Sequence, residues 1–214
     1  MSGLPRIALA LMLTAMPVIA AAQEPQIEVR LPAPHARATE SPFTRSTGLL
    51  REPMSDLLRS GFPARIHYKI ERWRAGGFAD DLRATREWNV IVRYDQLASV
   101  FNVVRVFRGT STRLGQATTV AGADSIVARL TRTPMPPPRR GERAYYTLTI
   151  ELEMLSLSDL DELENWLRGE FRPAVRGERN PGTALTRGIR TLVVRLLGGE
   201  KRRYEARSAT FTPQ

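Results

Sequence analysis

The chain has 214 residues, a formal net charge of +10 and no cysteine. That length suits one folded unit with a full core, and the missing cysteines exclude a disulfide framework, a thiol nucleophile and a thiolate metal site. All but two of the 32 basic residues are arginine, Lys69 and Lys201 being the exceptions; a net field of this sign favours anionic phospholipid, lipopolysaccharide or acidic partners, and no nucleic-acid-binding motif is present.

Arg6 precedes an apolar run from 7 to 19 that leads into Ala20, Ala21 and Ala22. A positive start, an apolar segment of about ten to fifteen residues and a small-residue cleavage site define a secretory signal peptide at residues 1 to 22, removed after Ala22. A transmembrane anchor is the weaker reading, because Pro17 interrupts the run and it falls short of the ~20 apolar residues that a span needs. The expected location is periplasmic or secreted. The mature chain would start at Gln23 and carry no transmembrane segment.

Residues 23 to 46 read as one strand, with Ile27, Val29 and Leu31 alternating with Glu28 and Arg30, followed by a linker around Pro32, Pro34 and Pro42. Leu49, Leu50, Met54, Leu57 and Leu58 recur at helical spacing, which predicts a helix over 49 to 59 with Pro53 near its start and Gly61 ending it. The period then falls to two. Ala64, Ile66, Tyr68 and Ile70 alternate with Arg65, His67, Lys69 and Glu71, the pattern of a strand with one face on a core and one in water.

Gly76 and Gly77 mark a turn. Trp88, Val90, Val92 and Tyr94 form the next alternating face, and a loop over 95 to 99 joins it to Val100–Phe107, apolar on both sides as a central strand is. Residues 109 to 116 fit neither period. A short helix is expected over 122 to 130, with Ile126, Val127 and Leu130 on one side. The proline-rich run at 134 to 141 reads as a stiff surface connection, with recognition by a partner in the polyproline II form as the alternative. Ala144–Met154 is the clearest strand, with Tyr146, Leu148, Ile150, Leu152 and Met154 on one face.

Ser158 with Asp161 resembles a capping box opening a helix over 159 to 168. Asn180 and Pro181 start a second helix over 181 to 197, with Leu185, Ile189, Leu192, Val193 and Leu196 on one face. An alternating segment from 202 to 211 closes the chain. The fold class expected is mainly β or α+β: a single antiparallel sheet or β-sandwich with several short covering helices. Its core should include Ile66, Tyr68, Ile70, Trp88, Val90, Val92, Val104, Leu148, Ile150 and Leu152.

Catalytic patterns are missing from the sequence. The two histidines, His35 in the linker and His67 on a polar strand face, belong to no metal-holding spacing, and no nucleophile elbow or zinc-protease helix is present. No cofactor is implied. Glu151 and Glu153 could serve as an acid and base pair, but their place on the solvent side of a strand in an arginine-rich surface favours cross-strand ion pairing. Asp80 with Asp81 forms a further carboxylate pair. The acidic cluster at 159, 161, 162 and 164 opens a helix, where the macrodipole favours negative charge, and lacks the EF-hand pattern. The weak candidates for membrane or anion contact are Arg187, Arg190 and Arg195, behind the apolar face of the helix at 181 to 197, a face expected to cover the domain's own sheet.

The segment from 57 to 74 carries a helix ending in Ser60 and Gly61, the apolar-proline step Phe62 and Pro63, and a strand bearing Tyr68, Glu71, Trp73 and Arg74. It resembles the opening of the bacterial DUF4390 family. The run from Val92 through Tyr94 to Leu97 with its following strand is similar to that family's next hairpin, and the strand from Tyr146 to Leu155 to its late strand. The helical insertion at 158 to 197 is longer than the segment usually found there. The resemblance implies an exported β-rich domain at 47 to 212 with no established activity, encoded in many cases near an envelope sensor kinase and so associated with signalling. The expected function is that of a non-enzymatic binding or interaction domain whose partner is an unknown envelope protein or an anionic envelope surface. The alternatives are a peripheral membrane-associated protein and a carboxylate-dependent hydrolase.

Overall fold

The computed structural model describes residues 24 to 155 and 201 to 214. In chain order the elements are β1 (Gln26–Arg30), a 3-10 turn (Pro34–Ala36), β2 (Phe43–Thr47), α1 (Met54–Arg59), β3 (Ala64–Arg74), β4 (Asp81–Asp95), β5 (Val100–Phe107), β6 (Thr110–Ala117), α2 (Val120–Val127), β7 (Thr131–Arg132), β8 (Ala144–Met154) and β9 (Arg202–Arg207). They form a six-stranded sheet in the order β6-β5-β4-β3-β8-β9 and a three-stranded sheet in the order β1-β2-β7. All pairings are antiparallel, so the described chain is a mostly β structure with few helices.

The segments with the clearest period of two lie at the centre of the large sheet. Ile66 on β3 stands between Val90 on β4 and Leu152 on β8, Tyr68 between Trp88 and Ile150, and Ala64 between Val92 and Met154. Ile66, Ile70, Val92, Leu148, Ile150 and Leu152 are each 0% exposed. Side chains buried to this degree contribute ~1.5 to 3 kcal/mol apiece in gross transfer free energy. Tyr68 and Trp88 stack with ring centroids 5.0 Å apart on the same face, an offset contact that aromatic quadrupoles favour.

The core face of this sheet is covered by α1, α2 and the small sheet, whose residues join the same apolar cluster: Leu49, Leu50, Met54 and Leu58 from the α1 region, Val120, Ala123, Ile126 and Val127 from α2, and Ile27, Val29 and Leu31 packed on its margin. The linker expected over 32 to 46 is instead partly structured. Phe43 to Thr47 pair with β1 on one side and β7 on the other, because Thr44 and Ser46, polar in the sequence, point inward and are buried. The carbonyl of Pro42 accepts from both Thr133 N and Thr133 Oγ1, each at 2.9 Å. The proline-rich run after it is anchored as well, by buried Met135 and by Arg72, which donates to the carbonyl of Pro136 at 3.0 Å.

Several boundaries differ from the periodicity. The helix expected over 49 to 59 begins only at Met54, since Leu49 and Leu50 reach the core from the preceding loop. The helix expected over 122 to 130 is Val120–Val127, capped by Thr119 Oγ1, which accepts from Gly122 N at 3.0 Å. Residues 109 to 116 supply an edge strand whose side chains are mostly exposed, so no apolar alternation marks it. Strand β4 begins at Asp81, well before Trp88, because its polar first half pairs with the end of β3 beyond the core. Val104, expected in the main core, lies on the reverse face of the sheet with Ile91, Val106 and Leu155; both faces of β5 are apolar, so alternation alone does not choose between them. The closing strand ends at Arg207, and Phe211 bridges Ala144 separately. The signal segment at 1 to 22 and the helices expected at 159 to 168 and 181 to 197 lie outside the described residues.

Candidate functional site: an arginine-lined cavity

The end of β2 and the end of α2 are tied together by one carboxylate. Asp124 on α2 accepts from Gly48 N at 2.9 Å and from Leu50 N at 3.0 Å, which satisfies two backbone donors leaving the strand and fixes the turn that follows it. Gly48 adopts φ +73°, and a Cβ there would stand 2.6 Å from Nη2 of Arg51. The positive φ favours glycine here, and any side chain at 48 would displace that guanidinium.

Beside this turn opens a cavity of about 580 Å³, bordered by Arg45, Arg51 and Arg129 together with Glu24, Thr47 and Asp124. The two oxygens of Asp124 are held by backbone amides, and among the described residues none of the three guanidinium groups has a carboxylate within ion-pair distance. Their planar donor forks match carboxylate and phosphate oxygens in paired fashion. Three cations against Glu24 and Asp124 leave the rim one positive charge in excess.

Arg129 also borders a small crevice of about 20 Å³ that runs towards the core past Thr44, Ser46, Tyr68 and Arg105. Ser46 Oγ and Tyr68 Oη share a hydrogen bond of 2.8 Å. Burial pushes the Tyr68 hydroxyl up to about 12, so it remains a neutral donor and acceptor at physiological pH. Arg105 is paired with Val90 across the sheet and so shares the register of core residues Phe101 and Val103. Its Nε is buried with no hydrogen-bond partner among the described residues. The core thus turns polar at the edge facing the cavity.

Of the carboxylates singled out in the sequence, Glu151, Glu153 and Asp81 are engaged in ion pairs and Asp80 in hydrogen bonds, while the acidic cluster at 159 to 164 lies outside the described residues. Glu151 meets Lys201 Nζ at 2.6 Å and Arg203 at 3.9 Å, and Glu153 pairs with Arg65. The Lys201 hydrogen bond holds the Glu151 carboxyl below its ordinary range, against a smaller opposing effect of burial; a general acid needs the opposite shift. Asp80 is bound by Tyr145 Oη at 2.8 Å and Gly76 N at 3.1 Å, and Asp81 pairs with Arg74 and Arg83. His67 bonds Asn89 Oδ1 at 3.0 Å through Nδ1, and His35 is exposed on the 3-10 turn. No group of three or more His, Cys, Asp or Glu among the described residues is placed to hold a metal, and no described helix is long and apolar enough to cross a membrane.

Arg187, Arg190 and Arg195 lie outside the described residues. The cavity arginines are not among the residues that periodicity selects, because Arg45, Arg51 and Arg129 come from three separate segments and only the pairing of β2 with its neighbours gathers them. Arg105 does leave a signal: it is the one charge in Val100–Phe107, at a core register of a strand whose other residues except Asn102 are apolar. Compared with protein families, curated proteins and solved structures, the chain matches none.

Proposed function

We propose that the chain is an exported, non-enzymatic binding domain and that the arginine-lined cavity receives an anionic group of its ligand. The observation that carries this reading is the meeting of Arg45, Arg51 and Arg129 around one open cavity with no carboxylate paired to them among the described residues. Cations arranged in this way on a fixed frame bind oxyanions at little cost in preorganisation. Export rests on the basic, apolar and small-residue pattern of residues 1 to 22. The resemblance that residues 57 to 74 bear to the DUF4390 family implies an exported β-rich domain in the same sense. A carboxylate-dependent hydrolase gains no support at Glu151, whose pairing with Lys201 stabilises the charged form.

The experiment is a calorimetric titration of the purified protein with citrate, pyrophosphate and oligogalacturonate, beside the combined Arg45→Gln, Arg51→Gln and Arg129→Gln variant. At least one of these anions should bind saturably, and each lost charge-assisted contact should weaken it by roughly tenfold or more. Absence of binding by all three, or binding that the combined variant leaves unchanged, refutes the reading.

A further inference from the structure

The hairpin of β3 and β4 runs past the core, and its end is tied to β8 and to the loop before it. Ala75 N donates to the carbonyl of Arg143 at 2.8 Å, which ties the hairpin to the loop before β8. Tyr145 Oη and Gly76 N both donate to Asp80. Tyr145 also stacks on Trp73 at 6.3 Å, and the guanidinium of Arg207 lies 3.7 Å above its ring. A Cβ at Gly76 would stand 1.9 Å from the carbonyl oxygen of Ala79, so only glycine permits this closure. From the braced base projects Phe78, fully exposed, with half-exposed Leu82 beside the start of β4.

Phe78 projects into water from a braced turn, and exposed arginines lie on the same end of the sheet. Arg139, Arg140 and Arg143 are exposed on the loop that holds Ala75, and Arg207 lies over Tyr145 on the same end. Of the acids there, Asp80 is bound by Tyr145 and Gly76 and Asp81 by Arg74 and Arg83, while Glu142 accepts from Arg139 N and keeps its other carboxyl oxygen buried. Leu97 makes an instructive contrast. It is as exposed as Phe78, at the opposite end of β4, but its turn is closed by Asp95, whose Oδ1 accepts from Leu97 N and Ala98 N. The Phe78 end joins a fully projecting aromatic side chain to a basic rim, whereas Leu130 beside the cavity arginines is aliphatic and 42% exposed.

We infer that the end of the β3–β4 hairpin is a contact surface for an anionic lipid bilayer, with Phe78 entering the headgroup boundary and Arg139, Arg140 and Arg143 meeting lipid phosphates. Aromatic side chains settle at that boundary, and basic residues near an anionic leaflet add attraction that salt screens. The surface shares no residue with the cavity, so an anion bound there and a bilayer at the hairpin are compatible and fail separately.

The chain has no cysteine, which allows a site-specific test. Phe78→Cys and, separately, Leu97→Cys are introduced in the full chain and labelled with an environment-sensitive dye. Each is mixed with vesicles of phosphatidylcholine alone or with added phosphatidylglycerol. The dye at 78 should brighten and shift to the blue on the phosphatidylglycerol vesicles, and less so at high salt, while the dye at 97 stays as in water. In the unlabelled chain, replacing Arg139, Arg140 and Arg143 by Gln should weaken vesicle co-sedimentation by on the order of a hundredfold at low salt, with an unchanged melting temperature. A dye at 78 that stays in water on bound or unbound vesicles overturns the inference, and so does an equal response at 78 and 97. Retained sedimentation in the triple variant overturns the role of the arginines.

Discussion

The two faces of β8 offer a controlled comparison, since they share one backbone, one register and the same neighbours. Tyr146, Leu148, Ile150 and Leu152 point to the core and are at most 1% exposed, each packed between residues of β3 and, from Leu148 onward, of β9. Thr147, Thr149, Glu151 and Glu153 point the other way and meet polar or charged groups: Trp73 Nε1 donates to Thr147 at 3.1 Å, and Lys201 and Arg65 pair with the two glutamates. One face derives its stability from area and close packing. The other derives specificity of register from partners that are individually weak.

The comparison breaks if a core-face truncation proves harmless. Ile150→Ala should cost roughly 2 to 5 kcal/mol, the sum of lost transfer free energy and the cavity left between β3 and β9. A denaturant titration measures it, and a change under about 1 kcal/mol would mean that this face is not the stabilising one.

A smaller effect separates packing from polarity within the core. Tyr68→Phe keeps the stack on Trp88 but removes the bond to Ser46, which should cost about 1 kcal/mol at neutral pH. Because burial raises the folded pKa to about 12 from about 10 in the unfolded chain, the stability linked to the neutral hydroxyl is intact below pH 10 and is lost as pH rises towards 12. The advantage of the wild-type protein over Tyr68→Phe should therefore narrow across that window, as thermal melts at pH 9 and pH 11 would record. A constant gap contradicts the burial of the hydroxyl.

The smallest effect belongs to the outer face. Glu151→Gln should change stability by less than about 1 kcal/mol at pH 7, because Lys201 is more than half exposed and the pair is screened. The lowered pKa of Glu151 places its contribution above the unfolded carboxyl pKa, with loss as pH falls through the folded one. The difference between wild type and variant should shrink in acid, and a chemical denaturation series from pH 7 to pH 3 follows it.

How much of this was legible in the sequence depends on whether a signal is local. Alternation placed Ile66, Tyr68, Ile70, Leu148, Ile150 and Leu152 correctly, since burial of one strand face writes itself into every second residue. The same rule failed at Val104, where both faces are apolar, and at residues 109 to 116, where an edge strand buries little on either. It passed over Phe43–Thr47, whose inward residues Thr44 and Ser46 are polar although buried, Ser46 being bonded to the Tyr68 hydroxyl. The ion pairs of Glu151 and Glu153 were foreseeable from charge and face. The cavity was not, because Arg45, Arg51 and Arg129 are gathered by pairing across distant segments, and in a chain this rich in arginine no single one stands out.

The most direct measurement of the central claim is a two-dimensional NMR titration that follows the arginine Nε–H resonances, assigned by single Arg→Gln substitutions at 45, 51 and 129, as citrate or pyrophosphate is added. The account predicts that these three shift together, saturate with one dissociation constant, and leave Arg30 and Arg59, which have carboxylate partners of their own, nearly unmoved. A uniform drift of all exposed arginines without saturation would contradict it.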